Sequence, residues 1–418
     1  MKYNKDIMEK IEIVIFIAFL FLQNFAIIKT KGFGISALAI CLVYLFFKYK
    51  MYLKIQKKLI IVLGGLFVFI IISSIVNLNF NILQIIRLYM IIFIFWATLQ
   101  YIKIINNNGK IDFLYKTFYI SVISITVYGI YQLIASKYGL PILLNVFNNN
   151  PSYGGKGIFE VYGGWTNTYR IYATFYEPSV YSIFLTIAYF FIINKVKNEK
   201  KLKYIITILV LINLFFTYAR SGWITFLYFI CIYLAFEIMK RYNDIKLYNY
   251  INQNHINKTI RILIILLPII TLVIMSTLGL YLFDDLSSKG RTYSSLYYLK
   301  ESLGSIKSVL VGHGIGSVSE VPDGTEYNNY IIEKFAHNGY IDIMYQFGFV
   351  FFIILMVYIY KYLMEKKLND NWMIYAVIYT ICCFGSLYNI ETIISLISMV
   401  IIATILEKEK KDDNNNLC

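Results

Sequence analysis

The chain has 418 residues, 59% of them hydrophobic and only 15% charged, with a formal net charge of +15 at pH 7. Apolar runs of about 20 residues recur along its whole length, which is what a helix needs to cross roughly 30 Å of hydrocarbon, so a soluble globular fold is excluded. The basic excess sits in short loops beside those runs, where anionic lipid attracts it, and no basic and aromatic surface outside them points to nucleic acid.

The predicted architecture is an all-α polytopic membrane protein with about twelve transmembrane helices, a single integral membrane domain over residues 1–418. The first run, 11 to 28, follows a charged start but precedes no small-residue cleavage site, so it is expected to be a retained span. Further spans are expected at 33 to 47, 59 to 76, 82 to 102, 113 to 135, 177 to 194, 203 to 218, 222 to 239, 260 to 282, 338 to 360, 372 to 387 and 389 to 406. With the N-terminus inside, alternate connections hold most of the 39 lysines and arginines, which places both termini in the cytoplasm. Cys41, Cys231, Cys382 and Cys383 fall in expected spans and Cys418 in a tail, a pattern without a disulfide framework.

Two connections on the outer side are long, 136 to 176 and 283 to 337, and long loops usually return function for their ordering entropy. The first is rich in Asn, Gly and aromatics and poor in charge. Such a composition suits stacking on sugar rings, and it equally suits an aromatic belt at the interface. It ends in "TFYEPS", where Pro178 fits the first turn of a helix and Glu177 precedes it, either as a cap or as a carboxylate facing a polar cavity. Arg170 belongs to the same face. Arg220, beside Tyr218 in "FFTYARSGWITF", lies between two spans joined by a few residues, so its guanidinium stays near the outer surface, for snorkelling, for capping or for a ligand.

In the second loop Leu296, Leu299, Leu303, Ile306 and Leu310 recur at spacings of three and four, which predicts a helix lying against the membrane domain. Thr292 is its expected N-cap, leaving Arg291 just outside the helix start, where a cation opposes the helix dipole unless an anion lies between them. "GHGIGS" predicts a tight turn with exposed backbone amides rather than a nucleotide loop, and His313 within it a loop residue without chemistry. The loop closes on "EKFAHNGYIDIMYQFGFVFFIIL", which sets His337 before an apolar run opened by Asn338 and Gly339; a helix cap and a general base are both open to it. Asp284 and Asp285 are expected to be solvated surface, and no group of His, Cys and acids has metal-ligand spacing, so neither metal nor other cofactor is expected.

Together "FTYARSGW", the Arg291 helix, "GHGIGS" and "AHNGYIDIMYQFGFVFFIIL" resemble the O-antigen polymerase and O-antigen ligase family of bacterial envelope enzymes, over about 170 to 360. The resemblance implies a GT-C-like architecture in the cytoplasmic membrane and glycosyl transfer at its outer face. The donor would be an oligosaccharide on undecaprenyl diphosphate and the acceptor a sugar hydroxyl, with a chain-length regulator protein among the allowed partners. His337 is then the base, Arg220 and Arg291 engage the diphosphate, and Glu177 is carried over as a second catalytic residue. Arg170 joins the diphosphate ligands from the same face, with Tyr218 and Asn338 in support.

The chemistry is consistent on its own terms. A lipid diphosphate leaves readily, so the transition state needs cations on the departing oxygens and a base for the attacking hydroxyl. In-line attack on the anomeric carbon predicts inversion. A polymerase of lipid-linked repeat units is the first reading, for O-antigen, capsule or exopolysaccharide. A ligase moving finished glycan to lipid A core or another acceptor is the nearest alternative, and a non-catalytic flippase the alternative from another class. The absence of a detectable internal repeat and the clustering of polar residues at one face argue against alternating access.

Overall fold

A computed structural model of the protein describes residues 2–22, 25–30, 33–142, 162–163, 168–175, 177–195, 200–244, 286–334, 336–365, 372–380 and 391–415. These residues are mostly helical. In chain order they form α1 (Lys2–Leu20), a hairpin of β1 (Ala26–Thr30) and β2 (Phe33–Ser36), α2 (Ala37–Lys48), α3 (Lys57–Asn77), α4 (Ile82–Asn107), α5 (Ile111–Tyr138), and a short ladder of β3 (Tyr162–Gly163) and β4 (Thr168–Tyr169). There follow α6 (Pro178–Lys195), α7 (Lys200–Thr217), α8 (Arg220–Asp244), α9 (Leu286–Leu303), α10 (Ile306–Val311), a ladder of β5 (Glu326–Tyr327) and β6 (Tyr330–Ile331), α11 (Gly339–Phe347), α12 (Phe349–Glu365), α13 (Trp372–Thr380) and α14 (Glu391–Asn415).

Among the described residues five helices are long and apolar enough to cross a membrane: Leu59–Asn77 of α3, then α4, α5, α6, and Arg220–Ile238 of α8. Only 17% of the apolar window of α3 is buried inside the protein, against 72% for α6. Ile61, Val68 and Ile75 of α3 point away from the chain, an arrangement that costs free energy in water and none in hydrocarbon. This is the architecture of a helical membrane protein.

Three expectations change. The first helix stops at Leu20 rather than running to 28, because Gln23 and Asn24 interrupt the apolar run and the chain returns as the antiparallel pair Ala26 to Thr30 with Phe33 to Ser36. Span ten is broken: α11 ends at Phe347, Gly348 takes φ 90° and ψ 155°, and α12 begins at Phe349. The expected helix through Leu296 and Leu310 is likewise two helices, with Ser305 capping the second through its own hydroxyl on Ser308 N at 3.0 Å. The expected span at 260 to 282 lies outside the described residues, as do Asp284 and Asp285 and most of the connection from 136 to 176.

The chain divides into two compact units, one of residues 1–54, 89–227 and 389–418, the other of 55–88 and 228–388. In the first, α6 is enclosed in an aromatic core in which Phe184 packs on Phe21 and Phe175, and Phe191 on Phe118. Asn213 ties three helices together, donating to Thr126 O at 3.0 Å and accepting from the Tyr181 hydroxyl at 2.9 Å. Buried Glu12 takes the Tyr49 hydroxyl at 2.8 Å and pairs with Lys48, while buried Glu9 pairs with Lys110. Buried carboxylates without such partners would be strongly destabilising.

The second unit is organised around α11, nine residues that are all buried. Both of its ends are capped by the loop that precedes it. Asn338 Oδ1 accepts from Tyr340 N at 2.9 Å and Ile341 N at 3.2 Å, closing the N-terminus. At the other end His313 N donates to Tyr345 O at 2.8 Å, Gly314 N to Gln346 O at 3.1 Å, and Gly316 N to Gln346 Oε1 at 2.7 Å. The amides of His313, Gly314 and Gly316 in "GHGIGS" are therefore spent on the helix terminus, which corrects the expectation that the turn's amides are exposed. The close crossing needs glycine on both sides: a Cβ on Gly312 would lie 2.5 Å from Gln346 O, and one on Gly348 2.9 Å from Gly312 N.

Candidate active site

His337 is positioned by α9. Three hydroxyls on one face of that helix hold the backbone of Glu333 and Ala336: Ser294 Oγ accepts from Glu333 N at 2.9 Å, Tyr298 OH donates to Glu333 O at 2.9 Å, and Ser295 Oγ donates to Ala336 O at 2.8 Å. Ile332 and Ala336 anchor it in the core. Burial pushes the Tyr298 hydroxyl up, so it stays a donor. His337 then takes φ 53°, a left-handed conformation that histidine tolerates better than most residues, and the chain swings into the Asn338 cap.

The imidazole that results is paired. His337 Nε2 lies 2.7 Å from Glu333 Oε2, with the His337 side chain 16% exposed and that of Glu333 43%. The hydrogen bond from His337 holds the Glu333 carboxyl below the usual carboxylate range, helped by the charges of His337 and Arg291 and opposed by partial burial. An ionised carboxylate only accepts, so Nε2 carries the proton and the lone pair of a neutral imidazole sits on Nδ1. Deeper in, buried Asp342 accepts from Gln346 Nε2 at 2.6 Å. Arg291 is exposed on α9 and close enough for its charge to act on Glu333. It lies inside the helix rather than before it, since α9 begins at Leu286, so neither the Thr292 cap nor the opposed dipole exists there.

The other expected residues gather in the first unit. Arg170 Nε donates to Thr217 O at 2.7 Å and its Nη2 to Tyr218 O at 3.4 Å, so part of the guanidinium closes the end of α7. Tyr218 takes φ 48°, which lets α7 turn into α8 within two residues. Arg220 is the first residue of α8, so the cation at a helix start that was expected at Arg291 is found here. Glu177 immediately precedes α6, as the Glu-Pro pattern requires, and its carbonyl accepts from Tyr181 N at 3.1 Å. The first turns of α6 and α8 touch: a Cβ on Gly222 would fall 2.2 Å from Ser182 Oγ. That contact brings the first turns of the two helices together.

Arg291, His337 and Asn338 thus share one unit, and Arg170, Glu177, Tyr218 and Arg220 the other. Sequence reasoning missed Glu333 and the hydroxyls of Ser294, Ser295 and Tyr298. Glu333 stands four residues before His337, a spacing that signals a pair on a helix, but this segment is not helical and carries no periodicity. Among the described residues no three His, Cys, Asp or Glu side chains group as metal ligands. Compared with protein-family models, with curated proteins and with solved structures, the chain matches none.

Proposed function

We propose that the chain is a glycosyltransferase of the bacterial cytoplasmic membrane, a polymerase of lipid-linked polysaccharide repeat units, with twelve spans in a GT-C-like arrangement and both termini in the cytoplasm. The donor is an oligosaccharide on undecaprenyl diphosphate and the reaction takes place at the outer face. The observation that carries the reading is the His337–Glu333 pair at 2.7 Å, beside the Arg291 charge and at the head of an apolar helix. A histidine oriented by a carboxylate is the arrangement that general-base catalysis asks for.

In the proposed step the His337 imidazole takes the proton of an acceptor sugar hydroxyl as its oxygen bonds to the anomeric carbon of the donor. The bond from that carbon to the phosphate oxygen breaks, the electron pair leaves with the lipid diphosphate, and the configuration inverts. Glu333 holds the ring in the required tautomer and stabilises the imidazolium that forms. Arg291 offers a planar fork to the departing phosphate oxygens. Arg220 is the second cationic centre of the proposal, with Arg170 and Glu177 in the same unit, and is tested separately.

The test is reconstitution of purified protein with an undecaprenyl-diphosphate-linked repeat unit, read as polymer on a gel. His337→Ala should insert and fold yet lose about a thousandfold in rate. Unchanged polymer yield in that variant would sink the base assignment. Arg291→Lys and Arg220→Lys should each slow the reaction, because a point charge does not reproduce the fork; full activity in both would remove the diphosphate assignment.

A further inference from the structure

The C-terminal part of the leucine stripe, Leu303, Ile306 and Leu310, does not pack inward. The residues of α9 that are fully buried are Ser294, Tyr298 and Ser302, whereas Leu303, Ile306 and Leu310 are 50%, 82% and 50% exposed. Three large exposed apolar side chains within so short a stretch are a liability in water and are stabilising against hydrocarbon. Their level is fixed by neighbouring helices. Ser73 Oγ donates to Val311 O at 2.8 Å and Asn77 Nδ2 to Gly312 O at 3.2 Å, which pins the end of α10 to the last turn of α3. There the apolar run of a membrane-length helix gives way to Asn77, Asn79 and Asn81. On its other side α10 packs on α12, which exposes Ile353, Ile354 and Val357. The stripe therefore lies where apolar helices end, at the level of lipid headgroups.

Beside the stripe is a groove of about 440 Å³, lined by Lys300, Glu301, Ser305, Lys307, Ser308 and His313. Its walls are fixed. The Ser305 and Ser308 hydroxyls are 2.8 Å apart, and His313 stacks on Tyr345 with ring centres 4.3 Å apart and Nε2 3.2 Å from Glu301 O. Lys300 and Lys307 are exposed, and Lys300 Nζ lies 5.4 Å from the centre of the Tyr327 ring. Two ammonium groups against one carboxylate give the groove a positive balance, and a cationic groove next to an apolar stripe complements a molecule that is anionic at one end and hydrocarbon at the other.

We propose that residues 303–310 are seated in one leaflet of the bilayer and that the adjoining groove binds the phosphate of a lipid headgroup. Leu303, Ile306 and Leu310 run along acyl chains while Lys300 and Lys307 meet phosphate oxygens. An anionic phospholipid and a polyprenyl phosphate offer the same chemistry here. The proposal stands without the glycosyl-transfer reading, since no step of that reaction uses these residues.

The seating is tested on the full-length protein in phosphatidylcholine nanodiscs with and without brominated acyl chains. The fluorescence that Ile306→Trp adds to the parent protein should be roughly halved by the brominated lipid. That added by Asp323→Trp, at a side chain 91% exposed, should not change. Identical behaviour of the two variants overturns the seating. The groove is tested by native mass spectrometry from discs of equal phosphatidylcholine and phosphatidylglycerol. The parent should retain phosphatidylglycerol selectively, and the Lys300→Gln, Lys307→Gln double variant should retain roughly tenfold less, with an unchanged thermal transition. Equal retention by parent and variant overturns the site. Added undecaprenyl phosphate separates the two lipid sources: displacement of phosphatidylglycerol assigns the groove to polyprenyl lipid, and no displacement to phospholipid, either of which supports a lipid phosphate site. Displacement by millimolar inorganic phosphate reveals a free-anion site and overturns a lipid one.

Discussion

The two histidines at either end of α11 are the same side chain put to opposite uses. His313 is clamped: its ring lies flat on Tyr345, its Nε2 meets a backbone carbonyl, and its amide caps the helix. His337 is turned toward an ionised carboxylate, in a mostly buried corner with a guanidinium charge nearby. A carbonyl only fixes a ring in place, whereas a carboxylate fixes the ring and sets a charge beside it. What separates a packing histidine from a candidate base is thus the partner, and the partner is set by what the neighbouring helix offers.

The largest effects should come from exchanging these roles. His337→Ala is expected to cost about a thousandfold in transfer rate with little change in thermal stability, and His313→Ala to lower stability by about 1 to 2 kcal/mol with transfer retained. The paired measurement is reconstituted polymerisation beside a melting curve. Loss of transfer in a stable His313→Ala protein would break the contrast. Gly312→Ala should be nearly as severe, but on the folding side. Its Cβ would sit 2.5 Å from a backbone oxygen, at φ 67° and ψ −160°, where glycine alone is comfortable, so a loss of more than about 3 kcal/mol and little detergent-stable protein are expected.

Much of the N-terminal cap was legible in sequence and little of the C-terminal one. Asn338-Gly339 before an apolar run is a local signal, and the helix does begin there. The Pro178 start of α6 was legible for the same reason. The break at Gly348 was not, because one glycine inside twenty apolar residues looks like an ordinary interruption until Gly312 is known to cross it. Glu333 was hidden because its contact with His337 is made across a non-helical turn held by hydroxyls more than thirty residues upstream. The leucine stripe illustrates the converse: its period runs across the break at Gly304 and Ser305, since periodicity reports a face and says nothing of where the helix stops or what covers it.

A smaller effect should distinguish a base from a structural ion pair. Glu333→Gln keeps the size and an accepting oxygen but removes the charge, so transfer should fall about tenfold to a hundredfold, chiefly in kcat, while Ser294→Ala, which only loosens the backbone of Glu333, should affect stability more than rate.

The smallest expected effect is on acid stability, and its sign follows from Glu333. Its carboxyl titrates below the usual value, so the pairing with His337 contributes fully above the ordinary glutamate range near pH 4.3, and the contribution is lost as pH falls through the depressed value. With 43% of the side chain exposed, solvent screens much of the interaction, and the loss should amount to a few tenths of a kcal/mol. Melting curves of the parent protein from pH 6 down to pH 3 should therefore show an acid-side decline that Glu333→Gln and His337→Ala each make slightly shallower, the rest belonging to the other paired carboxylates Asp6, Glu9 and Glu12. His313→Ala, whose partner is a carbonyl, should leave that decline in place. An acid decline equally steep in Glu333→Gln and in the parent would mean that the pair carries no charge linkage, and the distinction drawn between the two ends of α11 would rest on geometry alone.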